Sequence, residues 1–156
     1  MAQVLQDVIH NLQPLFKKSP IRLVQECPQA IQFLGTPGWL TQVFTNLFVN
    51  AHEHAFAEGS RPGTIQVCVR QNAGGLEISF RDDGVGIEAA ALPKIFEPFY
   101  TTHRTRGGSG LGLYLVYSLI TQKMNGTIDC KSARGMGTEF LIHLPMTSTS
   151  PKPEQK

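Results

Sequence analysis

The chain has 156 residues, 41% hydrophobic and 17% charged, which is the composition of one globular domain with its own core. Its net charge of +2 is too small to favour nucleic acid or an anionic membrane surface as a partner. No apolar run approaches the roughly 18 residues of a membrane-spanning helix, and the first residues lack the pattern of a signal peptide. We therefore expect a cytoplasmic protein.

The three cysteines, Cys27, Cys68 and Cys130, are far apart, odd in number and without C-x-x-C spacing. This pattern argues against a disulfide framework and against a metal site. We expect three small buried side chains in a reducing compartment.

The first half of the chain predicts two helices with a strand between them. Apolar residues at helical spacing predict an amphipathic helix over residues 2–17, which Pro14 is expected to kink or shorten. Alternation predicts an edge strand at residues 21–25, with residues 30–33 as its candidate partner. Thr36 as N-cap and Pro37 at the first position begin a helix that a buried apolar stripe extends over residues 39–57.

Asn46 and Asn50 lie four residues apart in this second helix and therefore share one helix face. Two asparagines on a helix are often only part of a solvated surface. Asparagine is a mediocre helix former, however, and here both residues flank the apolar stripe in mid-helix. Their position makes them candidate ligands for a polar group.

The second half predicts strands at residues 64–70 and 76–81, followed by a turn that contains Asp82, Gly84 and Gly86. An aromatic segment at 95–102 leads into a basic, glycine-flanked loop that predicts a mobile lid. A helix over 110–124 ends at Asn125-Gly126, where Gly126 is the candidate left-handed residue. Two more strands, 127–131 and 138–144, are joined by a glycine-rich turn, and the tail 147–156 is expected to be disordered.

Two of these turns have the chemistry of a nucleotide site. Glycines let a backbone approach a ligand closely, and a helix start offers unpaired N–H groups to phosphate. An acid at the first turn, Asp82, and a glycine-rich helix start at the second, residues 108–112, would hold the two ends of a nucleotide.

Five motifs occur in one order: NLFVNA, DDGVGI, FEPFYTT, GSGLGL and GMGTEF. In this order the chain resembles the catalytic, ATP-binding domain of sensor histidine kinases, within the superfamily that includes DNA gyrase, the heat-shock chaperone ATPase and the mismatch-repair ATPases. FEPFYTT points to the histidine kinases rather than to the other branches. The resemblance covers about residues 22–145. It implies an α/β two-layer sandwich: a mixed, mostly antiparallel sheet covered on one face by helices.

The resemblance also implies roles for individual residues. Asn50 is expected to ligate the Mg²⁺ ion that bridges the ATP phosphates, with Asn46 as a second polar contact, and Asp82 to accept a hydrogen bond from the exocyclic amine of adenine. Arg104 and Arg106 in the lid are candidate phosphate donors. The other expected ATP-binding residues are Gly84, Gly86, Ile87, Phe99, Thr101, Thr102, Gly108, Ser109, Gly110, Leu111, Gly112 and Thr138.

Two positions depart from the family pattern. Many histidine kinases place Lys or Arg three residues after the magnesium asparagine and an aromatic residue next to it, whereas this chain has Glu53 and His54. Which cation meets the phosphates is therefore open. His52 and His54 are two residues apart and on different helix faces, which disfavours a zinc site. His10 lacks the acidic neighbour of a phosphate-accepting histidine and is expected to be a surface residue.

The resemblance implies transfer of the γ-phosphoryl group of ATP to a histidine on a separate helical hairpin of the same kinase, which is expected to be a homodimer and to signal to a response regulator. We expect neither nucleic acid nor membrane contact by this chain. Two alternatives stay open: an ATP-hydrolysing switch of the gyrase and chaperone branch, and a non-catalytic nucleotide-binding module. The switch is disfavoured because Asn46 stands where that branch has its water-activating glutamate.

Overall fold

Five strands form one twisted sheet in a computed structural model that describes residues 1–57, 59–101 and 109–146. The strands are β1 (Ile21–Glu26), β2 (Gly63–Asn72), β3 (Gly75–Asp82), β4 (Thr127–Ser132) and β5 (Thr138–Pro145). Their order across the sheet is β1-β2-β3-β5-β4. β1 and β2 run parallel, and the other three neighbouring pairs are antiparallel. The sheet is mixed and mostly antiparallel, as the family resemblance implied.

Three helices carry the apolar stripes that the sequence predicted. They are α1 (Ala2–Phe16), α2 (Pro37–Asn50) and α3 (Gly112–Ser118), with a short 3₁₀ helix at Leu92–Lys94. The second and third predicted helices do not continue as regular α-helix. α2 passes into a π-helical turn at Ala51–Ala55, and α3 passes into another at Leu119–Lys123. Such turns are often found at functional sites.

The core lies between the helices and one face of the sheet. Ile65, Val67 and Val69 of β2 are almost fully buried, while the alternate residues Gln66, Cys68 and Arg70 face the other side of the sheet. Phe48 of α2 packs edge-on against Phe80 of β3, with 5.0 Å between the ring centroids. Leu5 and Val8 of α1 join the same core. The result is a two-layer α/β sandwich with helices on one face.

Residues 30–33, expected to form a strand, are irregular. Ile31 is buried in the core, and its carbonyl oxygen accepts a hydrogen bond from the Met1 amino group at 3.3 Å. The alternation of Ile31 and Phe33 therefore reflects packing against the core rather than strand pairing, and β1 pairs with β2 instead.

The left-handed residue after the second π-helical turn is Asn125, with φ +52°, and not Gly126 as expected. Asparagine tolerates this conformation. Glycine is needed at position 126 for another reason: a Cβ there would overlap the carbonyl oxygen of His143. Helical periodicity predicts that Leu115 of α3 is buried, but this residue is 42% exposed.

Thr36 occupies the predicted N-cap position of α2, but its side chain makes no capping hydrogen bond within the described residues. His10 is exposed, as expected. The cysteines form no disulfide in the described part of the chain, and all three are half-buried rather than fully buried. No helix among the described residues is long and apolar enough to cross a membrane. The predicted lid at 102–108 and the tail at 147–156 lie outside the described residues.

Candidate functional site

Asp82 is the last residue of β3 and points to the helix side of the sheet. Only 3% of it is exposed. Its Oδ1 accepts a hydrogen bond from the backbone N–H of Gly84 at 2.9 Å. Burial raises the pKa of this carboxyl group above the usual aspartate value, and backbone N–H groups of Gly84 and Thr138 oppose that rise. A buried carboxylate held by backbone donors is a strong acceptor for a further N–H group.

Two glycine-rich turns enclose Asp82. Gly86 and Gly137 have φ angles of +73° and +74°, a backbone conformation that glycine adopts readily. A Cβ at Gly137 would overlap the carbonyl oxygen of Asp82, so this turn lies directly against the end of β3. The backbone N–H of Gly135 donates to the carbonyl oxygen of Val85 at 2.6 Å and joins the two turns.

Ser132, the last residue of β4, connects the same two turns through its side chain. Its hydroxyl accepts a hydrogen bond from Ile87 N–H at 2.7 Å and donates to the carbonyl oxygen of Gly137 at 2.7 Å. It is also 3.0 Å from the hydroxyl of Thr138. Sequence reasoning missed Ser132. Its place six residues before Thr138, at the other end of a hairpin, was the available signal.

The π-helical turn after α2 brings the asparagine helix to the Asp82 turn. The backbone N–H of Val85 donates to the carbonyl oxygen of Ala55 at 3.1 Å. Gly84 lies so close that a Cβ there would be 2.5 Å from the same oxygen. Asn50 is the last α-helical residue before this turn, and its side chain is half-buried.

Asn46 has an amide group that is only partly satisfied. Its Oδ1 accepts a weak hydrogen bond from Gln42 at 3.4 Å. Its Nδ2 is buried and has no hydrogen-bond partner among the described residues. Because a buried donor without a partner is costly, this atom is suited to an acceptor from a bound ligand.

The aromatic segment is anchored in the protein by some of its side chains but not by Phe99. Its side chain is 63% exposed and its φ is +65°, so it does not anchor the loop. The segment is anchored instead by Ile95, which is buried, and by Phe96, which packs against Tyr117 with ring centroids 5.4 Å apart. Phe99 is instead tied to the second glycine cluster, because its N–H donates to Gly110 at 3.0 Å.

The start of α3 is ordered by a short side chain. Leu111 N–H donates to the hydroxyl of Ser109 at 3.3 Å. Ser109 is exposed, while Gly110, Leu111 and Gly112 are half-buried. Thr101, directly before the predicted lid, is half-buried. Thr102, Arg104, Arg106 and Gly108 lie outside the described residues.

The two histidines after Asn50 face different environments. His52 is buried, with its Nε2 3.3 Å from the Ser19 hydroxyl. His54 is half-buried, and its Nε2 lies 4.0 Å from a carboxylate oxygen of Glu53. Within the described residues, no three His, Cys, Asp or Glu side chains lie close enough to hold a metal ion.

Cys130 of β4 lies near Asp82 on the helix side of the sheet. Burial, reinforced by the negative charge of Asp82, raises the pKa of its thiol to about 12. The thiol therefore stays protonated at neutral pH and contributes packing rather than a nucleophile.

Comparison with known proteins identifies the family. The sequence model of the histidine kinase-, DNA gyrase B- and HSP90-like ATPases matches residues 35–148. The chain belongs to this ATPase family. The match contains all the residues described above as the site, from Asn46 to Thr138. The region shared with the family therefore includes the paired asparagines, the buried aspartate and the glycine turns.

Relatives of this ATPase domain include the sensor histidine kinase ZraS of Escherichia coli strain K12, which is 39% identical over 118 residues. That alignment covers 76% of the chain and 24% of ZraS, so the chain spans about a quarter of its relative. Among solved structures, the catalytic domain of histidine kinase ThkA superposes with a TM-score of 0.81 at 25% identity, covering 94% and 93% of the two chains. Full-length ShkA in complex with AMPPNP gives 0.76 at 26% identity, covering 97% of this chain and 31% of ShkA.

Proposed function

We propose that residues 1–146 form the ATP-binding catalytic domain of a sensor histidine kinase, which donates the γ-phosphoryl group of ATP to a histidine. The observation that carries the proposal is Asp82, a carboxylate that is 97% buried at the helix side of the sheet and surrounded by backbone donors. This carboxylate accepts a hydrogen bond from the 6-amino group of adenine. Guanine has an oxo group at the same position and cannot donate there.

The phosphate end of the site is formed by α2 and the start of α3. The Nδ2 of Asn46, which is buried and has no partner among the described residues, supplies a donor for a phosphate oxygen. At the start of α3, Ser109 and the half-buried Gly110 and Gly112 have small or no side chains. The backbone N–H groups there can therefore approach the phosphates closely. Arg104 and Arg106, with Thr102 and Gly108, are the proposed lid contacts.

The residues present also suit Mg²⁺. An amide oxygen is a hard, neutral ligand, and Asn50 lies at the half-buried end of α2, one turn after Asn46. When bound there, the ion would neutralise phosphate charge. Asn50 would orient the triphosphate, and Asn46 would hold it in place for in-line transfer.

The acceptor histidine is proposed to lie on a helical hairpin of the same kinase, and the phosphoryl group then passes to a response regulator. Supporting this, ZraS is a sensor histidine kinase of which the chain spans about a quarter. We propose that the domain lies in the cytoplasm, where ATP is available, and that the full kinase is a homodimer.

The test is phosphoryl transfer by this chain. With radiolabelled ATP and magnesium, the chain should bind ATP but hydrolyse it very slowly, because Asn46 stands where a water-activating glutamate would be needed. Addition of the kinase's own hairpin should give a labelled protein whose phosphoryl bond is acid-labile and base-stable. That stability identifies phosphohistidine rather than phosphoserine. The matched control is a hairpin with its histidine replaced by glutamine.

Two results would reject the proposal. Rapid steady ATP turnover by the chain alone would favour a switch ATPase. ATP binding without any labelling of the hairpin would favour a non-catalytic nucleotide-binding module.

A further inference from the structure

The hydroxyl of Ser132 makes three short polar contacts, and their directions can be assigned. A serine hydroxyl has one proton to donate and two lone pairs that accept. Ile87 N–H donates to it at 2.7 Å, and it donates its own proton to the carbonyl oxygen of Gly137 at 2.7 Å. The third contact, 3.0 Å to the hydroxyl of Thr138, must therefore use the remaining lone pair of Ser132. Thr138 is the donor in this contact.

The side chains of Ser132, Thr138 and Asp82 form a row across the sheet. Ser132 of β4 pairs with Thr138 of β5, and Thr138 pairs with Asp82 of β3. Thr138 and Asp82 are 6% and 3% exposed and lie on the helix side of the sheet. Since the only proton on the Thr138 hydroxyl is directed to Ser132, that hydroxyl can only accept a further hydrogen bond.

We propose that Ser132 is a specificity-determining positioning residue of this pocket. It accepts the hydrogen bond from the Thr138 hydroxyl, so at the base end of the proposed nucleotide site the side chains of Asp82 and Thr138 both act as acceptors. Such a surface favours a purine with a 6-amino group over one with a 6-oxo group, whose oxygen would face lone pairs. Ser132 acts through Thr138 and makes no contact with the base. This inference rests on the proposed nucleotide site.

Without the Ser132 hydroxyl, Thr138 is free to rotate. Its proton can then point into the pocket and meet the 6-oxo group of guanine. We expect Ser132→Ala to reduce the preference for ATP over GTP by about three- to tenfold, the effect of one hydrogen bond on affinity. A loss of local order alone would instead weaken both nucleotides by the same factor.

The experiment measures the Kd of ATP and of GTP by calorimetry for the wild type, Ser132→Ala and Ser132→Thr, the last of which keeps the hydroxyl. Thr138→Val and the double variant Ser132→Ala/Thr138→Val complete a cycle. We expect Ser132→Thr to restore the wild-type ratio of the two constants. We also expect Ser132→Ala to leave that ratio unchanged when valine is at position 138. If Ser132→Ala does not fold, Ser132→Cys, with a poor hydrogen-bonding group of similar size, should shift the ratio in the same direction.

An unchanged ratio in folded Ser132→Ala or Ser132→Cys would overturn the inference while leaving the proposed function intact, provided that the wild type prefers ATP. A shift of the same size in the valine background would also overturn it, because Ser132 would then not act through Thr138. A wild type that binds neither nucleotide would overturn the proposed function and the inference together.

Discussion

At the scale of single residues, Asp82 combines a stability cost with a proposed binding role. Its carboxylate is buried, which disfavours the charged form, and among the described residues backbone N–H groups and the charge of Arg61 oppose this. Proteins often retain such groups where they meet a ligand. Two predictions follow from this conflict.

Replacement of Asp82 by Asn keeps the shape but leaves a single acceptor oxygen, which Gly84 N–H already occupies. We expect ATP affinity to fall more than about tenfold, as for loss of a charge-assisted hydrogen bond. Calorimetry measures this. The matched control is Asp83→Asn, which removes the same charge one residue away, at an exposed side chain bonded to Thr64 N–H at 2.7 Å. Equal affinities for both variants would remove Asp82 from the site.

The raised pKa of Asp82 also predicts a pH effect on stability. Because the folded state binds this proton more tightly than the unfolded state, its stabilising contribution is present below the ordinary value of 3.8 and is lost as pH rises through the folded pKa. The Asp82→Asn variant has no carboxyl group to titrate at this position, so it does not lose this stability as pH rises. Relative to wild type, the variant should therefore gain free energy of unfolding as pH rises through that window. Urea unfolding at several pH values measures the difference, and a constant difference would contradict the prediction.

At the scale of elements, the site depends on how α2 ends. The helix passes into a π-helical turn directly after Asn50, and that turn meets the Asp82 loop through the bond from Val85 to Ala55. The ending of α2 thus connects the proposed metal ligand with the proposed adenine acceptor. A regular helix through residue 57, as the apolar stripe alone predicted, would not have this turn.

Asn50→Ala should weaken ATP binding in magnesium by about tenfold, equivalent to ~1.4 kcal/mol, and leave binding in EDTA nearly unchanged. The reason is that the amide oxygen is proposed to act on the ion rather than on the nucleotide. Paired titrations with and without magnesium measure the two affinities. Thr41→Ala, an exposed change on the same helix, is the control. An equal loss under both conditions would mean that Asn50 contacts the nucleotide directly or only supports the fold.

At the scale of the whole molecule, α1 shares one core with the sheet and with α2. Leu5 and Val8 are almost fully buried, and Phe16 packs edge-on against Phe48 at 6.2 Å and against His52 at 5.4 Å. The family match begins only at residue 35. α1 nevertheless packs as part of the same unit, whose limits we propose at residues 1–146.

Leu5→Ala should therefore lower the global free energy of unfolding by about 2–5 kcal/mol, the usual cost of a cavity in a well-packed core. Urea unfolding followed by circular dichroism and by Trp39 fluorescence should show one coincident transition. Gln6→Ala, at an exposed neighbouring position, should have little effect. Two separate transitions, the first without a change in fluorescence, would show that α1 folds apart from the sheet.

The sequence by itself determined most of the strands and helices, because these depend on periodicity and on local turn chemistry, and its five motifs in one order indicated the family. Only the tertiary structure decided which turns meet. The contacts of Ser132 with Ile87, Gly137 and Thr138, and the bond from Val85 to Ala55, join segments that periodicity cannot relate. Tertiary packing also overrode local patterns at Ile31, which packs into the core, and at Phe99, which is exposed. The physical reason is that local preferences act along the chain, whereas packing selects among them by contacts between segments distant in sequence.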